Sequence, residues 1–221
     1  MPSSNSKKFS TYAFLANGAI EDCQIIAPYV KMHECIVCVD GGLIYCQKMN
    51  IQPDLIVGDF DSIPSHVLND YTHVPFLTFP QEKNETDLEL AVQSVYHPDV
   101  DKITVFGALG KRLDHTLSNL HLMQRYPRKV FFETENELIF SFNGTLEIAC
   151  FPGQTISFMH MDKVEGVTSE GLQWDMYKAT FTKYFFSLSN ICLADRVKIT
   201  IESGDLICCL QKSLEAKIQA F

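Results

Sequence analysis

Two carboxylates one residue apart carry the clearest chemical signal in this chain. In Pro53-Asp54-Leu55-Ile56-Val57-Gly58-Asp59-Phe60-Asp61-Ser62 a short apolar run ends in glycine and then in Asp59 and Asp61. In extended backbone residues i and i+2 face the same side. Both acids therefore aim at one point beyond the carboxyl end of a buried strand, where open α/β sheets bind ligands. Two hard oxygen donors suit Mg²⁺, which is commonly held by one or two carboxylates together with substrate phosphates. A solvated acidic turn gives the same short pattern, so the neighbouring segments have to decide between them.

Other polar clusters follow apolar runs in the same way: Asn17-Gly18, Asp40-Gly41-Gly42, the stretch from Pro80 to Asp87, and Gly107-Ala108-Leu109-Gly110-Lys111-Arg112. The carboxyl ends of parallel strands share one edge, so these loops would line one rim. Gly107 and Gly110 offer backbone amides ahead of two cations at a helix start, a suitable cradle for phosphate. A glycine turn with solvated charges is the plainer alternative. Lys83 adds a cation to the rim. Asp87, in Asn84-Glu85-Thr86-Asp87, is either a third carboxylate at the metal or part of a capping arrangement with Asn84 as N-cap. His115 and His121, six apart, share no helix face and read as ordinary helix histidines. Carboxylates for a metal, with cations and amides for phosphate oxygens, are the parts of phosphoryl transfer from a Mg-nucleotide. These residues leave the acceptor open.

The elements that must position them alternate. Strands are expected at 12–16, 35–39, 55–57, 76–79, 103–106 and 130–132, and helices near 19–31, 42–49, 64–70, 86–96 and 114–126. That rhythm predicts βαβ units: a Rossmann-like parallel sheet between two layers of helices. Beyond about residue 137 the helices stop. Short runs at 138–142, 145–149, 155–158, 179–188, 197–201 and 206–210, separated by glycine and proline turns, predict a small all-β sandwich. The fold class is therefore α/β. A disordered terminus (1–10) precedes an ATP- and Mg-binding domain (11–137), followed by a β-sandwich domain (138–221).

Composition excludes several classes. The net charge of −9 argues against nucleic acid as a partner. No apolar run approaches the ~18 residues of a membrane span, and the first residues lack the apolar core of a signal peptide. The eight cysteines are scattered, and those of Cys35-Ile36-Val37-Cys38 face opposite ways on a strand, so one metal cannot take both. Reduced thiols and a cytoplasmic location are expected.

The residues together resemble the thiamine pyrophosphokinase family. Asp40-Gly-Gly, Pro53 to Ser62, Glu82-Lys83-x-x-Thr86-Asp87 and Gly107-Ala-Leu-Gly-x-Arg-Leu-Asp-His115 stand in the family's order and spacing. Gly171-Leu-Gln-Trp174 and Ser187-Leu-Ser-Asn190 continue the likeness, which spans about residues 12–210. The resemblance implies transfer of the pyrophosphoryl group of Mg-ATP to the hydroxyl of thiamine, giving thiamine diphosphate and AMP. It also implies a homodimer with the active site near the subunit interface. Asp59, Asp61 and Asp87 would hold Mg²⁺, Asp40 would support the metal–nucleotide site, and Lys83 and Arg112 would face the phosphates. Asp114 would approach thiamine, and Ser187, Ser189 and Asn190 would meet its aminopyrimidine. Trp174 would either stack on the cationic thiazolium or sit partly buried in the sandwich. This chain has Ile44 where the family often has Asn, Asn84 where Asp is common, and Lys111 in place of a frequent glycine.

Three rivals share parts of the pattern. A pyrophosphokinase acting on a pterin alcohol would keep the metal and ATP half; the segment 187–190 favours thiamine. A non-catalytic nucleotide or thiamine diphosphate sensor would have no need of the Asp59, Asp61 and Asp87 set. A D-x-D glycosyltransferase leaves the 107–112 loop without a role.

Overall fold

The computed structural model describes residues 8–59, 63, 65–80 and 82–212. Asp61 and most of the expected disordered terminus lie outside the described residues. The chain divides between Asn119 and Leu120 into two compact units.

The first unit alternates β1 (Thr11–Leu15), α1 (Cys23–Lys31), β2 (Cys35–Val39), α2 (Leu43–Met49), β3 (Leu55–Gly58), α3 (Ser65–Asn69), β4 (Phe76–Thr78), α4 (Asp87–Val95), β5 (Lys102–Phe106) and the start of α5 (Leu113–Arg125). The strands pair in parallel in the order β5-β1-β2-β3-β4. Strands covered on both faces read as unbroken apolar runs, as in Cys-Ile-Val-Cys-Val of β2. Leu15, Cys38, Ile56 and Phe106 of the sheet pack with Ile26 and Val30 of α1 and Leu43 of α2.

Two local expectations need correction, and one short turn was not anticipated. α1 starts at Cys23 rather than near 19, because the Asp22 carboxylate caps it by accepting the Gln24 amide at 2.8 Å. A 3-10 turn, Asp40–Gly42, precedes α2. The N-cap of α4 is Thr86, not Asn84: the Thr86 hydroxyl accepts the Glu89 amide at 3.2 Å.

The second unit holds the end of α5 and then β6 (Val130–Glu133), β7 (Glu137–Phe142), β8 (Thr145–Ala149), β9 (Thr155–Met159), β10 (Val164–Glu170), β11 (Ala179–Phe181), β12 (Ser187–Ile191), β13 (Arg196–Thr200) and β14 (Leu206–Gln211). Strands β12-β9-β14-β7-β6 form one antiparallel array and β11-β10-β13-β8 another. Phe142 and Phe158 of the first share a core with Val167, Phe181 and Ile199 of the second, which makes the unit a sandwich. Two differences from expectation stand out. The run 179–188 is two strands, because the chain turns where the Phe185 amide donates to the Thr182 carbonyl at 2.9 Å. β10 was not expected at all. Its Glu165 and Gly166 break the apolar alternation, and its register against β11 shifts between Val164 and Val167.

Candidate active site

The loops after β1, β2 and β5 and the start of α4 converge on one cavity of about 250 Å³. Asn17, Asp40, Asp87, Lys111, Arg112 and His115 are among its lining residues. The loops after β1 and β5 are joined by backbone hydrogen bonds, Gly18 amide to Gly107 carbonyl at 2.7 Å and Ala19 amide to Leu109 carbonyl at 2.6 Å. Only glycine fits at position 18, since a Cβ there would lie 2.2 Å from the Gly107 oxygen. His115 lines the cavity rather than serving only as a helix residue.

The carboxylates meet at Asp40. Its backbone is left-handed, with φ 46°, a conformation that costs a non-glycine residue free energy and clusters at functional sites. Its side chain lies against Gly58, where a Cβ would meet Asp40 Oδ1 at 1.8 Å. That oxygen is buried and has no hydrogen-bond partner among the described residues. Burial, with the carboxylates of Asp87 and Asp59 close by, pushes the Asp40 carboxyl up to about 7, and Lys83 offsets part of the effect. Asp87 is the first residue of α4, and the Lys83 ammonium donates to its Oδ1. Both side chains are largely buried, 12% and 18% exposed. A cluster of acids that holds one proton too tightly, with an orphaned buried oxygen, fits a hard divalent cation. Among the described residues no three His, Cys, Asp or Glu side chains stand at ligand spacing from one point. The second acid of the D-x-D pair, Asp61, lies outside those residues.

The loop after β5 differs from a cradle of free amides. The Gly110 amide donates to Thr116 Oγ1 at 3.2 Å and the Arg112 amide to the Gly110 carbonyl at 2.7 Å. Gly107 and Gly110 shape the cavity wall, and Asn119 holds the loop by donating to the Ala108 carbonyl at 2.6 Å. Arg112 forks onto Asp114, with Nε–Oδ1 at 3.1 Å and Nη2–Oδ2 at 2.6 Å. That guanidinium holds the Asp114 carboxyl down to about 2, so Asp114 is a poor proton acceptor at neutral pH.

In the second unit Asn190 is buried and all its polar capacity is in use. Its Oδ1 accepts the amides of Trp174 at 3.2 Å and Ile191 at 2.9 Å. Its Nδ2 donates to the Trp174 carbonyl at 2.9 Å and to Ser187 Oγ at 3.4 Å. Asn190 thus clamps the Trp174 loop onto β12. Asp175, which sequence reasoning missed, ties the other end by accepting from Ser169 Oγ at 2.9 Å and from the Leu172 amide at 3.1 Å. A bare aspartate in a polar loop gives no sequence signal for that role. Ser189 stands at the bulge of β12 with φ 53° and an exposed side chain. Trp174 is 58% exposed.

Comparisons with known proteins agree along the chain. The family model described as the thiamin pyrophosphokinase catalytic domain matches residues 26–133, and that of the thiamin pyrophosphokinase vitamin B1 binding domain matches residues 145–206. Thiamine pyrophosphokinase 1 of Arabidopsis thaliana is 28% identical over 202 residues, covering 77% of this chain and 75% of its own. Thiamine pyrophosphokinase of Bacillus subtilis is 33% identical over 99 residues, 44% of this chain and 46% of that one. Among solved structures, the thiamin pyrophosphokinase of Geobacillus thermodenitrificans superposes with a TM-score of 0.81 at 21% identity, covering 92% of this chain and 98% of that chain. Yeast thiamin pyrophosphokinase gives 0.81 at 16% identity, with coverage of 98% and 90%. At those identities the likeness to solved structures speaks for the fold, and the two family models speak for the sequence. With both matched in order over most of its length, the chain belongs to the thiamine pyrophosphokinase family.

Proposed function

We propose that this chain transfers the pyrophosphoryl group of Mg-ATP to the hydroxyl of thiamine, releasing AMP and thiamine diphosphate. The observation that carries the reading is the buried Asp40 at the rim cavity, with the carboxylates of Asp87 and Asp59 near enough to raise its pKa and Lys83 bonded to Asp87. Residues 11–137 would bind ATP and 138–221 thiamine. Asp59, Asp61 and Asp87 would hold Mg²⁺, which when bound neutralises charge on the phosphates. Lys83 orients Asp87, and with Arg112 it would contact phosphate oxygens. Gly107 and Gly110 let the β5 loop follow the nucleotide closely. Such transfer needs positioning more than a base, which agrees with an Asp114 held ionised by Arg112. Ser187 and Ser189 would meet the aminopyrimidine, with Asn190 holding the Trp174 loop so that the indole can stack on the thiazolium.

A homodimer with the active site near the subunit interface belongs to the same proposal. It is supported by the exposure of Trp174, Tyr177, Tyr184, Leu188 and Leu193, apolar side chains a second copy could cover. No helix among the described residues is long and apolar enough to cross a membrane. All eight cysteines are free thiols, which supports a reducing, cytoplasmic setting.

The test is an assay with ATP, Mg²⁺ and thiamine in which AMP and thiamine diphosphate are followed together. Equal amounts of both are expected, and none without the divalent ion. AMP release with a pterin alcohol but not with thiamine would overturn the reading.

A further inference from the structure

Lys111 occupies a position where its backbone is out of place. Its φ is 59°, in the left-handed region that glycine enters freely and lysine does not. Such a conformation persists only where surrounding contacts hold it, and it is a reason to look for function. The contacts are specific. The Lys111 ammonium donates to Asn17 Oδ1 at 3.3 Å and lies 5.4 Å from the centroid of the Tyr45 ring. Tyr45 in turn donates its hydroxyl to the Gly18 carbonyl at 2.6 Å. One side chain therefore ties the β5 loop to the β1 loop and to α2, at the wall of the rim cavity.

Its charge is available in a way its neighbours' charges are not. The Lys83 ammonium is bonded to Asp87, and the Arg112 guanidinium is forked onto Asp114. Lys111 has no carboxylate partner among the described residues; its ammonium is held by a neutral amide oxygen and an aromatic face. Both are weak holds that leave the cation free to take an anion. The loop's amides at Gly110 and Arg112 are already spent on internal hydrogen bonds, so side chains carry part of what the loop can offer a phosphate.

We infer that Lys111 is a nucleotide-binding residue: a further cation, beside Arg112, through which the β5 loop engages the phosphates of ATP, released from Asn17 and Tyr45 when the nucleotide enters. This rests on the ATP-dependent reading above. A lysine held at a backbone angle that suits glycine then has a purpose, since its side chain adds a cation to the loop beside Arg112.

Calorimetric titration of Mg-ATP into the full chain without thiamine separates binding from turnover. Lys111→Gln is expected to weaken Mg-ATP about tenfold or more, the size of one charge-assisted hydrogen bond to phosphate. Lys111→Arg should stay within about threefold of wild type. Lys111→Gly should melt at or above the wild-type temperature, because it relieves the backbone, yet bind Mg-ATP as poorly as Lys111→Gln. KM for thiamine should be unchanged in all three. Wild-type affinity in Lys111→Gln, or an equal loss in Lys111→Arg, would overturn the inference and leave only a latch. A wild-type chain that binds no Mg-ATP would instead overturn the ATP-dependent reading itself, and this inference with it.

Discussion

Asp40 combines a left-handed backbone, a buried oxygen without a partner among the described residues and two neighbouring carboxylates. Each of these costs stability in the metal-free chain. A purely structural residue would not be kept in that state, and asparagine tolerates the same backbone with no charge. Asp40→Asn is therefore expected to leave the metal-free melting temperature at pH 8 unchanged or raised by about 2–4 °C, the shift of ~1 kcal/mol in a chain of this size. Mg²⁺-dependent turnover should fall at least about tenfold. Thermal scans beside rate measurements check this. A lower melting temperature with proportionate loss of activity would make Asp40 structural instead. At this scale the sequence was informative where acids follow apolar runs, as at Asp40 and Asp59. It was uninformative for Tyr45 and Asp175, whose roles come from neighbours elsewhere in the chain and whose own types are common in loops and helices.

The parallel strands and their helices were legible because burial on both faces writes them as apolar runs between polar loops. β10 was not, since Glu165 and Gly166 interrupt its alternation at a bulge. The single run expected over 179–188 failed because apolar aromatics continue through the turn, at Tyr184, Phe185 and Phe186, and conceal it. The helix start at Asp87 was legible, but which residue caps it depended on whose oxygen reaches the Glu89 amide. β12 allows two of its polar residues, Ser189 and Asn190, to be told apart. Asn190→Ala would strand the part-buried amide and carbonyl of Trp174, at about 1 kcal/mol per group, and should lower the melting temperature by about 4 °C or more. Ser189→Ala, at an exposed position, should leave melting near wild type and raise KM for thiamine about threefold or more with KM for ATP unchanged. Equal thermal losses in both variants would assign Ser189 to the fold as well.

For the whole molecule, the change from alternating helices and strands to strands alone forecast two architectures in one chain. What the pattern could not give was the division between Asn119 and Leu120, which falls inside α5 where the helical periodicity runs on without a break. An acidic chain of net charge −9 that handles a polyphosphate must gather its cations locally; Lys83, Lys111 and Arg112 do so around the loops that also carry Asp40 and Asp87. The central claim is that two phosphoryl groups leave ATP together for thiamine. The most direct measurement follows ATP labelled at the β-phosphorus with Mg²⁺ and thiamine. The account predicts that the β-label appears in thiamine diphosphate, with unlabelled AMP formed in equal amount. A β-label retained in ADP, with only the γ-phosphoryl group reaching thiamine as the monophosphate, would contradict it.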